Sequence, residues 1–150
     1  MEPRWLTRQI VDLIHNGQLQ DHGGNVGVLN DGSIESAIAR ARNRFAYEPA
    51  SLFECAAAYV FGLAKNHGYQ DANTRTAYMA GITFLYLNGW HVQAPDDEKI
   101  LLMLDVAQDA RSEPDIAAWL QRHATARVWI VAASATRTSP LAGPARKGSL

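Results

Sequence analysis

His67-Gly68-Tyr69-Gln70-Asp71-Ala72-Asn73-Thr74-Arg75-Thr76 decides how this chain is read, because it sets a base, a carboxylate, an amide and a guanidinium in one turn ahead of a helix. The helix is predicted from Ala77 to Leu87, where Ala77, Gly81, Ile82, Phe84 and Leu85 recur near helical spacing and Asn88-Gly89 provides a stop. Its N-terminus is expected near Asp71. The backbone N–H groups of Ala72, Asn73 and Thr74 would then point outward at the positive end of the helix dipole, which favours a bound anion.

Working outward, Ser51-x-x-Glu54 is a capping box that starts a helix burying Leu52, Ala56, Tyr59, Val60 and Leu63 and ending at His67-Gly68. An earlier helix runs through Ile34, Ile38, Ala41 and Phe45, capped by Asp31 or Ser33 and stopped by Pro49. Leu6, Ile10, Leu13 and Ile14 mark a first amphipathic helix ending near Asn16-Gly17, followed by a glycine-rich flap over residues 17–33. Beyond Gly89, Trp90-His91-Val92 reads as an extended link. Two more helices open at Pro95-Asp96-Asp97-Glu98 and Ser112-Glu113-Pro114-Asp115. The expected fold is all-α, a compact helical bundle around the Asp71–Leu87 helix. The expected domain is 1–123, with 124–150 a basic, flexible tail rich in Ser, Thr, Pro and Gly. The one strand-like run is Val128 to Val131, in that tail.

The 150 residues, 47% of them hydrophobic, suffice for one domain with a real core. Residues 1–123 hold 10 Lys and Arg against all 15 acids, whereas 124–150 hold four cations and no acid. An acidic body argues against direct nucleic-acid binding, which needs clustered cations. Its one basic cluster, Arg40, Arg42 and Arg44, reads first as a solvated helix face and second as a dock for an acidic partner. Neither a secretory signal nor a membrane span is visible, and the single Cys55, in an apolar helix, reads as a core thiol in a reducing cytoplasm. His15, His22 and His91 lack Cys or His partners at zinc-ligand spacing.

The central decapeptide resembles the signature of the Fic/Doc family: His, any residue, an aromatic, any residue, Asp, Ala or Gly, Asn, Gly or Lys, Arg. Thr74 is the one departure. The similarity extends to Asp21-His22-Gly23-Gly24, to Ser33–Ile38, to Leu52–Ala57 and to Phe84–Gly89, covering roughly residues 5–123, and it favours the Doc branch. A second Arg of the Fic signature would fall at Tyr78, and Doc-type chains also lack it. The autoinhibitory Ser or Thr, then Glu four residues on, of some Fic proteins has no counterpart among the glutamates here.

The resemblance implies an ATP-dependent protein-modifying transferase, the toxin of a type II toxin–antitoxin pair. It would move a phosphate of ATP to a hydroxyl of a target, by analogy elongation factor Tu, and so arrest translation. In this reading His67 is the general base, Asp71 holds Mg²⁺, Arg75 neutralises phosphate charge, and Ala72, Asn73, Thr74 and Arg75 bind the nucleotide's phosphates. Asn73 would position a phosphate oxygen or the base, and Tyr69 would anchor the loop from inside. Each assignment suits its chemistry: imidazole titrates near neutrality, Mg²⁺ takes one carboxylate with phosphate oxygens and water, and guanidinium matches phosphate geometry. An antitoxin would lay a helical segment in an apolar groove. Thr74 stands where Lys goes with phosphate transfer and Gly with AMP transfer, so AMP transfer, or a decayed site that only binds a partner, remain alternatives.

Overall fold

The computed structural model describes residues 2–127. Six helices follow one another: α1 (Arg8–His22), α2 (Asp31–Tyr47), α3 (Leu52–Asn66), α4 (Asn73–Leu87), α5 (Asp96–Ala107) and α6 (Glu113–Arg122). A short strand, β1 (Trp90–Val92), separates α4 from α5, and β2 (Ala124–Ala126) follows α6. The fold is all-α, as its periodicities predict.

Local chemistry accounts for most boundaries. Ser51 Oγ accepts the Glu54 N–H at 3.1 Å and the Glu54 carboxylate accepts the Ser51 N–H at 2.8 Å, so the predicted capping box starts α3. Ser112 and Asp115 make the same reciprocal pair at the head of α6. At the end of α4, the Asn88 side chain donates to the Phe84 carbonyl at 2.8 Å and exchanges two bonds with the Arg4 backbone, pinning the N-terminal segment there.

Two boundaries differ from expectation. Helix α1 does not stop at Asn16-Gly17 but continues to His22, so the loop before α2 spans only 23–30. An interior glycine costs a helix about 1 kcal/mol, and the packing of Val11 and His15, both buried, with half-buried Leu19 two turns on, outweighs it. The stop comes at Gly23, with φ 79°, whose N–H reaches the Leu19 carbonyl at 2.8 Å. The cap of α2 is neither Asp31 nor Ser33 but Asn30, whose side-chain oxygen accepts the Ser33 N–H at 3.0 Å. That leaves Asp31 in the first turn, where its charge suits the dipole.

The core lies between α3 and α4. Ten of the fifteen residues of α3 are buried against seven in α4, so the leading helix is the more deeply enclosed, although the sequence pointed to its successor. The two approach closely because Gly81 faces α3: a Cβ there would lie 2.5 Å from Val60 Cγ2. Trp5, Tyr59 and Phe84 form a continuous aromatic cluster beside this seam. Replacing Gly81 by Ala should cost about 1–3 kcal/mol through overpacking, measured by urea unfolding.

Helix α6 is clamped onto α2. Glu113, buried, accepts hydrogen bonds from Arg40 at 2.6 Å and Arg44 at 3.0 Å, while Arg42 lies over the Trp5 ring. Arg40 and Arg44 therefore act as a latch between α2 and α6, while Arg40 and Arg42 remain exposed, so the solvated face expected from the sequence holds in part. Removing one partner from a buried pair costs about 3–5 kcal/mol. Because both guanidinium groups also reach water, Glu113→Ala should cost about 2 kcal/mol, read as a fall in the urea midpoint.

The two strands pair antiparallel in the register Trp90↔Ala126, His91↔Thr125, Val92↔Ala124. Residues 124–126, which the sequence assigned to a tail, thus belong to the folded body. The expected strand at Val128 to Val131 and the rest of that tail lie outside the described residues.

Candidate active site

The signature forms a tight loop between two residues in left-handed conformation, His67 (φ 45°) closing α3 and Ala72 (φ 63°) opening α4. A non-glycine residue there costs about 1 kcal/mol, so other contacts must hold the loop. Asn73 supplies two of them: its side-chain oxygen accepts the Tyr69 N–H and its amide donates to the Tyr69 carbonyl, both at 3.0 Å. The Asn73 side chain therefore closes the loop, both ends of its amide being engaged by the Tyr69 backbone.

The flap, residues 23–30, zips along one edge of this loop. Leu29 and Asn30 donate to the Gly68 carbonyl at 2.8 and 3.1 Å, and Gln70 donates to Gly27 at 2.9 Å, around an isolated bridge between Val28 and Tyr69. Gly68 lets the loop pack against α2, since a Cβ there would fall 2.3 Å from Ile34 Cγ1. At the flap's start, the Asn25 N–H donates to one Asp71 carboxylate oxygen at 3.1 Å, while the Ala72 N–H donates to the other at 3.1 Å.

Beneath the loop, Tyr69 is buried and donates its hydroxyl to the Asp12 carboxylate at 2.6 Å. Its ring stacks on His15, centroids 3.7 Å apart. The His15 Nε2–H donates to the Asp71 carbonyl at 2.9 Å, and Asp12 is itself held by Arg8 at 3.0 Å. Arg8 also pairs with Asp31 and Glu35 of α2 at 2.7 Å each. Sequence reading passed over Arg8 and Asp12 and weighed His15 only as a zinc ligand. The available signal was their spacing, which puts Arg8, Asp12 and His15 along one face of α1.

Electrostatics favour an ionised Asp71. The Asn25 and Ala72 N–H groups, with smaller help from Arg75 and His15, hold its carboxyl below the ordinary carboxylate range. A depressed folded-state pKa contributes stability above the unfolded value, about 3.9, and loses it as pH falls through the folded one. By contrast, burial and the neighbouring Asp12 push the Tyr69 phenol up, so it remains a donor. Burial, with Glu54 nearby, pushes the Cys55 thiol up to about 11. A thiol reagent at pH 8 should accordingly leave the folded protein untouched and react with one thiol per chain after unfolding.

Helix α4 begins at Asn73, two residues later than Asp71, and has no side-chain cap. Its first backbone bond runs from the Thr76 N–H to the Ala72 carbonyl at 3.0 Å. Because Ala72 gives its own N–H to Asp71, the open donors are those of Asn73, Thr74 and Arg75, one residue along from the expected set. His67 lies exposed at the other end of the loop, and half-buried Thr74 sits in the first turn of α4. The Arg75 guanidinium donates to the Gly23 carbonyl at 3.2 Å, and Arg75 lines a groove of about 480 Å³ with His22, Tyr78, Met79, Ile100 and Met103.

These residues suit Mg²⁺ held with a nucleotide. Among the described residues no group of three or more His, Cys, Asp or Glu converges, so a cation demanding an all-protein cage finds none. Within the loop, Asp71 offers a carboxylate whose oxygens each spend one lone pair on a backbone N–H, and Mg²⁺ commonly binds through one carboxylate plus substrate phosphates.

Residues 5–85 match the model of the Fic/DOC family. The chain belongs to that family. Over 90 residues, 59% of this chain and 71% of the relative, it is 34% identical to "Protein kinase doc" of Escherichia phage P1. It is 36% identical over 95 residues, 61% of this chain and 67% of the relative, to "Toxin Doc" of Mycolicibacterium smegmatis. Within the family the chain is thus Doc-like.

Proposed function

We propose that this protein is the toxin of a type II toxin–antitoxin pair and transfers the γ-phosphate of ATP to a hydroxyl of a target protein. One observation carries the reading: the open N–H groups of Asn73, Thr74 and Arg75 lie at the start of α4, immediately after an ionised carboxylate and a few residues from an exposed imidazole. The helix start receives the polyphosphate, and Arg75 adds fixed positive charge. Asp71 would hold Mg²⁺, which would supply charge neutralisation on the phosphates. His67 takes the proton of the acceptor hydroxyl as its oxygen bonds to the γ-phosphorus, and the bond to the bridging oxygen breaks to release ADP. One relative, a protein kinase by name, supports this chemistry, and the other, a toxin by name, supports the toxin role.

Elongation factor Tu is the target by family resemblance, with arrest of translation as the outcome and the cytoplasm as the setting. No described helix is long and apolar enough to cross a membrane, and the acidic body speaks against direct nucleic-acid binding. The antitoxin partner is supported by α5, which exposes Ile100, Leu101 and Leu104 beside the Arg75 groove, a surface suited to an amphipathic helix.

Incubation of the protein and a bacterial extract with ATP labelled at the γ- or the α-phosphate tests the reading. Label from the γ-position on a protein near the size of elongation factor Tu is expected. Label from the α-position alone would mean AMP transfer, and neither would mean a site that only binds. Thr74→Lys places a cation in the first turn of α4 and should tighten ATP binding about tenfold or more, measured by calorimetry, since a charge-assisted phosphate contact is worth about 1.5–3 kcal/mol.

A further inference from the structure

The peptide joining Asp71 to Ala72 is held from both sides. Its carbonyl accepts the His15 Nε2–H at 2.9 Å, and its N–H donates to the Asp71 carboxylate at 3.1 Å. In a planar trans peptide the two groups point in opposite directions, so a bond drawing the carbonyl toward α1 turns the N–H toward the carboxylate. The next residue, Ala72, is left-handed at φ 63° and lacks glycine's freedom. Without an external hold this peptide would be free to rotate, carrying the carboxylate's anchor with it.

His15 is well placed to provide that hold. It is 4% exposed, sits on α1 rather than in the signature, and is itself fixed by stacking on Tyr69 at 10° between planes. Tyr69 in turn is tied through its hydroxyl to Asp12, and Asp12 to Arg8. A histidine that merely filled space would need none of this directionality. An aromatic hydrocarbon could stack equally well, but only a donor at the Nε2 position satisfies the Asp71 carbonyl.

We propose that His15 is a positioning residue, which locks the Asp71–Ala72 peptide through its Nε2–H so that the Asp71 carboxylate faces the same ligand as the first turn of α4. Its consequence for transfer rests on the function proposed above, whereas its structural part does not. Two variants separate donor from ring: His15→Phe keeps the stack and loses the N–H, and His15→Gln keeps an amide N–H near the position of Nε2. Amide hydrogen exchange read residue by residue by NMR gives a measure independent of activity.

In His15→Phe the amides of Ala72 and Asn25, both bonded to the Asp71 carboxylate, should exchange about tenfold faster, while those of Val60 and Phe84 in the core hold their wild-type rates. His15→Gln should return Ala72 and Asn25 toward wild type. Labelling from γ-labelled ATP should fall about tenfold in the Phe variant and recover in the Gln variant. If the wild type labels nothing, the proposed function fails while the exchange pattern still decides the role of His15. Wild-type exchange at Ala72 and Asn25 in the Phe variant, uniform acceleration across the core, or a Gln variant as fast as Phe would each overturn the inference.

Discussion

His67→Ala is expected to lower phosphate transfer to the target by about 10²–10⁴-fold, the range lost with a positioned general base. The imidazole closes α3 in an exposed position and makes no hydrogen bond or ion pair among the described residues, so no structural duty competes with the chemical one. Stability should therefore change little, within about 0.5 kcal/mol as for ordinary surface substitutions. ATP binding should persist, because the donors at the start of α4 and Arg75 are untouched. Loss of turnover with binding and folding retained is the signature of a missing proton acceptor. His67→Asn, which suits the left-handed backbone better, should be equally inactive. Single-turnover labelling with γ-labelled ATP, alongside calorimetric titration of the nucleotide, checks both parts.

The second large effect belongs to Asp71. Asp71→Ala removes the one carboxylate available to Mg²⁺ in the loop and also frees the Asn25 and Ala72 N–H groups that it holds. Transfer should drop about 10²–10³-fold, comparable to removing a principal electrostatic group from a reacting centre. Asp71→Asn separates the two duties. The amide oxygen can still accept one N–H, but its NH₂ confronts the other and the negative charge is gone. That variant should keep most of the fold and require far more Mg²⁺ for any activity. A Mg²⁺ titration of labelling in wild type and both variants measures this directly, and an unchanged Mg²⁺ requirement would count against Asp71 as the metal ligand.

Features encoded by neighbouring residues were legible in the sequence. The Ser51–Glu54 and Ser112–Asp115 caps, the break at His67-Gly68 and the stop at Asn88 each depend on contacts within one turn, so residue type and spacing suffice. Gly17 misled because a single glycine is a weak breaker, and the burial that outweighs it comes from the signature loop and α4, far along the chain. The β1–β2 pairing joins His91 to Thr125, and a three-residue strand carries no pattern that identifies so distant a partner.

Within the site, the types and spacing of His67, Asp71 and Arg75 were readable, but not how Asn73 directs its amide. That choice depends on the tight turn bringing the Tyr69 peptide within reach. The support from α1 was hidden for a different reason. Arg8, Asp12 and His15 look like ordinary polar residues of an amphipathic helix until the fold brings Tyr69, more than fifty residues away, against them.

A crystal of the protein grown with Mg²⁺ and a non-hydrolysable ATP analogue tests the central claim most directly. The account predicts phosphate oxygens within about 3 Å of the Asn73, Thr74 and Arg75 amide nitrogens, Mg²⁺ on the Asp71 carboxylate, and the His67 ring on the open side of the terminal phosphate. A nucleotide bound elsewhere, or phosphates at the helix start with Asp71 and His67 both turned away from them, would contradict it.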